Sequence, residues 1–89
     1  MELIEAELLT DGGNNAIVRL PHRAFPGVLV QGDTLAALRA QLVAAAGALR
    51  RSPGDATALD ELGSVIGDLD EILDRYEEAL SEHGLRRPY

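Results

Sequence analysis

The stretch Phe25-Pro26-Gly27-Val28-Leu29-Val30-Gln31-Gly32-Asp33-Thr34-Leu35-Ala36-Ala37-Leu38-Arg39-Ala40-Gln41-Leu42 decides the fold. Upstream of it, apolar residues recur with a period of two; downstream, they recur every three to four. The apolar run from Val28 to Val30 stops at Gly32. Asp33 or Thr34 then offers a side-chain oxygen to the orphan N–H groups of a first helical turn. The chain therefore reads as sheet before this point and helix after it. The fold class it predicts is α+β: a three-stranded antiparallel β-meander followed by an αα-hairpin packed on one face.

Working back towards the N-terminus, residues 2–9 alternate, with Ile4, Ala6 and Leu8 on one face and Glu5 and Glu7 on the other. A helix competes for this segment, because its residues have good helix propensity. Asp11-Gly12-Gly13-Asn14-Asn15 tips the balance, since it is dense in residues that take positive φ at low cost. Residues 16–20 read as a second strand, with Ala16, Val18 and Leu20 inward and Ile17 and Arg19 outward. Pro21 ends it, having no ladder donor. Residues 28–31 read as the third strand. The second face of this sheet then shows Leu3, Ile17 and Leu29 among charged side chains, a mixed patch that either faces solvent or meets a copy of itself.

Forward from the pivot, Leu35, Leu38, Leu42, Ala45 or Ala46, and Leu49 recur at helical spacing over residues 34–51. Arg50 and Arg51 favour the negative end of the helix dipole. Ser52-Pro53-Gly54 stops the helix, and Asp55 or Thr57 opens the next one, read over residues 56–83. There Leu59, Leu62, Ile66, Leu69, Leu73, Tyr76 and Leu80 are spaced three and four apart in strict alternation, an unbroken heptad seam. Gly63 and Gly67 interrupt a helix interior at about 1 kcal/mol each relative to Ala. They read as a weak point or bend, or as a place where another backbone packs close; alternatively the helix begins only after Gly63. His83-Gly84-Leu85 fits a Schellman ending. Residues 1–84 are expected to form a single α+β domain and residues 85–89 a C-terminal tail, in which Arg86-Arg87-Pro88-Tyr89 reads as a frayed end.

Composition narrows the function classes. A chain of 89 residues buries only about 60–70% of the surface its unfolded form exposes. With three aromatic residues, its core must come from Leu, Ile, Val and Ala, and thin cores are often completed by oligomerisation. There is no cysteine, so disulfides and thiolate metal sites are excluded. The N-terminal residues lack a basic region followed by an apolar run, and no apolar run is long enough to span a bilayer; the expected location is cytoplasmic. The net charge of −7 arises entirely after residue 54, where ten acids meet three arginines. That balance argues against nucleic acid and anionic membranes as partners and permits a basic protein.

No grouping of side chains suggests chemistry. Ser52, Ser64, Ser81 and the threonines lie in turns, caps or the polar side of a helix, away from His22 and His83. Asp70, Asp74, Glu77 and Glu78 cluster without a histidine four residues on, which reads as a solvated face rather than a metal site. Gly12-Gly13 and Gly32 are turn glycines with no following lysine, not a phosphate loop. The expectation is no enzyme, no cofactor and no metal. What remains is surface: the acidic helix face with Asp68, Glu71, Asp74 and Glu78, the loop His22-Arg23-Ala24-Phe25, and an unpaired sheet edge.

Asp11-Gly12-Gly13, the strand ending at Pro21, Phe25-Pro26-Gly27-Val28 and Gln31-Gly32-Asp33-Thr34-Leu35 together resemble the N-terminal domain of HicB antitoxins over about residues 3–50. That resemblance implies an antitoxin covering a small basic ribonuclease. The HicB pattern returns to a strand after its first helix, whereas residues 55–84 read here as a long acidic helix. The whole chain also resembles a set of small actinobacterial proteins of unknown function carrying the same Pro-Gly-Val and Gln-Gly-Asp elements. The leading expectation is a non-catalytic protein-binding module of antitoxin or immunity type, using its acidic helix face against a basic partner. The alternative is a homodimeric structural or accessory protein.

Overall fold

A computed structural model describes residues 1–11 and 13–89; Gly12, in the expected Asp11–Asn15 turn, lies outside the described residues. The element order is β1 (Glu7–Leu8), β2 (Ile17–Arg19), β3 (Gly27–Val28), α1 (Gly32–Arg51) and α2 (Ala56–Glu82). The strands form one antiparallel sheet in the order β1-β2-β3. Three antiparallel strands followed by two helices make this the α+β arrangement that the change of period predicts. The chain divides into two compact units, residues 1–31 with 72–89, and residues 32–71.

In the first unit the strands are shorter than the alternation predicts, at two or three residues each. The register pairs Glu7 with Arg19 and Leu8 with Val18, then Ile17 with Val28 and Val18 with Gly27. The Leu9 N–H donates to the Ile17 carbonyl at 2.9 Å, and the Ile17 N–H donates to the Thr10 hydroxyl at 3.1 Å. Side chains two apart share a face, so Ile17 and Arg19 point one way, and Val18 the other.

For Ile17, Val18 and Leu20 that face assignment is the reverse of the expected one, while Ala16 is buried as expected. Ile17 is 0% exposed and packs with Tyr76, Ala79 and Leu80 of α2, joined by Leu9, Val28 and Leu85. Each such large side chain, fully buried, contributes roughly 1.5–3 kcal/mol. Leu20, expected inside, is about half exposed. Counting apolar residues favoured Ala16, Val18 and Leu20 over Ile17 and Arg19. Arg19 joins the inner face at its rim, where its Nε and Nη2 donate to both Glu7 carboxylate oxygens at 3.0 and 2.8 Å. A long charged side chain with its head in solvent is compatible with an otherwise apolar face.

The C-terminal end of α2 covers the sheet. The Tyr76 hydroxyl donates to the Pro26 carbonyl at 2.8 Å, which satisfies a buried polar group on each side. The helix ends as a Schellman motif: Gly84 has φ of 69°, the Leu85 N–H donates to the Leu80 carbonyl and the Gly84 N–H to that of Ser81. Beyond it, Arg87 and Tyr89 turn back to α2. Arg87 pairs with Glu77 at 2.8 Å, the Tyr89 hydroxyl donates to the same carboxylate at 3.0 Å, and the Tyr89 ring stacks on Tyr76 with centroids 6.4 Å apart.

The second unit contains α1 and α2 as far as Glu71, joined through Ser52–Asp55. Asp33 accepts from the Thr34 N–H at 2.8 Å at the start of α1. Asp55 caps α2, accepting from the Ala58 N–H at 3.0 Å. The buried side chains here are Ala45, Ala58 and Val65. None of them is a large residue of the heptad seam. The larger seam residues beside them, Leu59, Ile66 and Leu69, stay about half exposed.

Candidate functional site

The first candidate surface is the outer face of the sheet. Because Ile17 turns inward, Val18 and Leu20 turn outward and meet the loop that leads to β3. With Arg23, Phe25, Pro26, Gly27, Val28 and Leu29 they line an open groove of about 520 Å³. The volume lies within the range of small-ligand clefts, roughly 300–1,000 Å³, but such clefts also carry several convergent polar groups. Arg23 is the one charged side chain in this lining. Phe25 and Leu29 are both substantially exposed at its wall.

Of the loop residues singled out from the sequence, Arg23 and Phe25 therefore come together, and Leu29 joins them. His22 does not line the groove. It follows Pro21 at the third position of a tight turn closed by the Arg23 N–H donating to the Leu20 carbonyl at 3.2 Å, and its φ is 65°. The dimer patch of Leu3, Ile17 and Leu29 is not assembled: Leu3 and Leu29 are exposed, while Ile17 is the centre of the core.

The second candidate surface is the seam of the helices. On α2, Leu59, Ile66, Leu69 and Leu73 remain between 42% and 50% exposed, and on α1 Leu35 is 59% exposed. The heptad spacing predicts one continuous apolar stripe along α2. In the structure the flanking positions Ala58 and Val65 are buried, while Leu59, Ile66, Leu69 and Leu73 of the seam are left about half open. Added methyl groups at Gly63 and Gly67 would meet nothing within 4 Å, so neither glycine is required by packing within the chain.

The acidic residues form a third surface. Asp68, Glu71, Asp74 and Glu78 are all exposed on α2. Glu77, beside them in sequence, belongs to the tail. Hydrogen bonds from Arg87, and then from Tyr89, hold its carboxyl below the ordinary value. Glu7 is held below it for the same kind of reason, chiefly by the hydrogen bonds from Arg19. Burial pushes the Tyr76 phenol up.

Two polar contacts had no signal in the sequence. A His83 ring nitrogen lies 3.0 Å from the Leu9 carbonyl, and since a carbonyl only accepts, this nitrogen donates. Arg75 donates to the Asn15 side chain at 2.8 Å. Both partners lie more than fifty residues away in the chain, beyond the reach of any local pattern.

These features define an α+β chain with two apolar surfaces and one acidic helix face among its described residues. The chain belongs to a family of unknown function (DUF6959), whose model matches residues 1–89. No curated protein and no solved structure matches it. Nothing in the family match links the chain to HicB antitoxins. Among the described residues, no helix is long and apolar enough to cross a membrane.

Proposed function

We propose that this chain is a non-catalytic protein-binding module that works through the open apolar side of its helices. One observation carries the reading. The seam residues Leu59, Ile66, Leu69 and Leu73 repeat at heptad spacing and are left about half exposed by their own chain. A heptad seam is the pattern that a partner helix fills, and a contiguous exposed apolar strip marks an interaction surface. A cytoplasmic setting, with neither nucleic acid nor membrane as partner, belongs to the same reading.

The acidic face offers a second docking mode, supported by the exposure of Asp68, Glu71, Asp74 and Glu78 and the net charge of −7. It fits a basic protein, as an antitoxin or immunity-type inhibitor would require. Native mass spectrometry of the protein isolated from its own cells tests both modes. The wild type is expected in a complex, and Ile66→Glu in none. Loss of the complex in a Glu71→Arg, Asp74→Arg, Glu78→Arg variant instead moves the site to the acidic face. A bare wild-type monomer sinks the binding reading altogether.

A further inference from the structure

We propose that the apolar face of residues 32–71 is covered by the same face of a second copy of this chain, the two hairpins forming a four-helix bundle in which α1 of each copy lies beside α2 of the other. The proposal rests on the binding reading above and names the occupant. Its first support is position. At 100° per residue, Leu35 and Leu42 of α1 lie on one flank of the buried Ala45, and Leu59, Ile66 and Leu69 of α2 on one flank of the buried Ala58 and Val65. In antiparallel helices these two flanks fall on the same side. The hairpin therefore presents one apolar face built from both helices, of the kind that up-down bundles bury.

Charge selects the partner. The α1 helix carries Arg39, Arg50 and Arg51 against Asp33, a balance of +2, whereas α2 as far as Glu71 carries Asp60, Glu61, Asp68, Asp70 and Glu71 and no cation, a balance of −5. An unrelated acidic helix would face repulsion along α2. A second copy turned so that α1 meets α2 sets opposite signs beside each other along both seams. Like charges on the flanking positions of a helix pair discriminate against the other pairing.

One pair of residues makes this specific. In the heptad frame Arg39 and Asp70 both occupy the position just outside the exposed apolar strip, Arg39 next to Leu38 and Asp70 next to Leu69. Arg39 stands twelve residues before the end of α1, and Asp68 twelve after the start of α2, so Arg39 and Asp70 lie at nearly the same height in an antiparallel pair. Neither makes a salt bridge among the described residues. In the bundle each Arg39 faces Asp70 of the other copy across the outer edge of the seam.

Sedimentation velocity on the purified full chain tests this, with circular dichroism confirming that each variant keeps its helices. The wild type is expected to be a dimer at about 10 μM. Ile66→Glu should raise Kd on the order of 100-fold, because it forces an unpaired charge into the seam. Arg39→Glu and Asp70→Arg should each weaken the homodimer by roughly tenfold at low salt. An equimolar mixture of those two variants should recover wild-type dimerisation, because both cross-copy pairs are then complementary again. A pair formed within one chain predicts no recovery on mixing. A mixture that stays as weak as its components overturns the arrangement. A wild type that remains monomeric at about 100 μM overturns the second copy as occupant. The binding reading itself fails separately, on a bare monomer in the native spectrum of the protein from its own cells.

Discussion

Tyr76 shows how much one side chain carries in a core this thin. Its ring packs against Ile17 and Leu80, and its hydroxyl satisfies the Pro26 carbonyl. Tyr76→Phe keeps the ring and strands the carbonyl, so it should cost about 1–2 kcal/mol, read from the urea midpoint at unchanged slope. Glu77 governs a second local event. Its folded-state pKa lies below the ordinary 4.5, so the tail contacts favour the charged form. Their contribution is fully present above the ordinary value and is lost as the pH falls through the lower, folded one. The Tyr89 ring resonances should therefore change in an NMR titration that starts near pH 4.5 and runs downward, and Glu77→Gln should abolish that step. A Tyr89 signal indifferent to acid would mean that the carboxylate does not hold the tail. Both contacts join positions that the sequence does not pair: Arg87 and Tyr89 read as frayed because nothing local says where the chain turns after Gly84.

At the scale of the elements, the helices were the most legible part of the chain. Their starts and stops depend on groups within four residues, such as Asp55 capping Ala58 and Gly84 in the left-handed conformation. The glycines inside α2 needed the structure. Gly67→Ala places a methyl group in open space and should raise stability by up to about 1 kcal/mol through helix propensity and reduced freedom of the unfolded chain. Thermal unfolding of the variant checks it. A destabilised Gly67→Ala protein would mean that another backbone lies against this turn of the helix. The strands were less legible. Apolar residues at 16, 17, 18 and 20 satisfy both alternation phases, and a one-residue change of phase sends every side chain to the other face. Ile17 went in, Val18 and Leu20 came out, and the groove beside Phe25 is the consequence.

For the whole molecule, the question is what remains exposed. Each unit buries few large side chains, and Leu35, Leu59 and Ile66 keep half or more of their surface in water. If a second copy covers them, folding and association are linked, and the unfolding midpoint should rise with protein concentration. Calorimetry between about 5 and 500 μM should show an upward shift of several degrees for the wild type. Ile66→Glu should show none. A wild-type midpoint independent of concentration would leave the seam to a different protein.

The amino-acid sequence by itself determined the change from extended to helical backbone at Gly32, the caps and ends of both helices and the heptad seam of α2. These depend on dihedral preferences and on hydrogen bonds between near neighbours. Only the tertiary structure decided which phase of β2 faces the core, that Ala58 and Val65 are buried while Leu59, Ile66 and Leu69 of the seam stay half exposed, and that the tail returns to Glu77. Burial is settled by the partner that removes water from a side chain, and for Ile17 that partner is Tyr76 and Leu80, some sixty residues away.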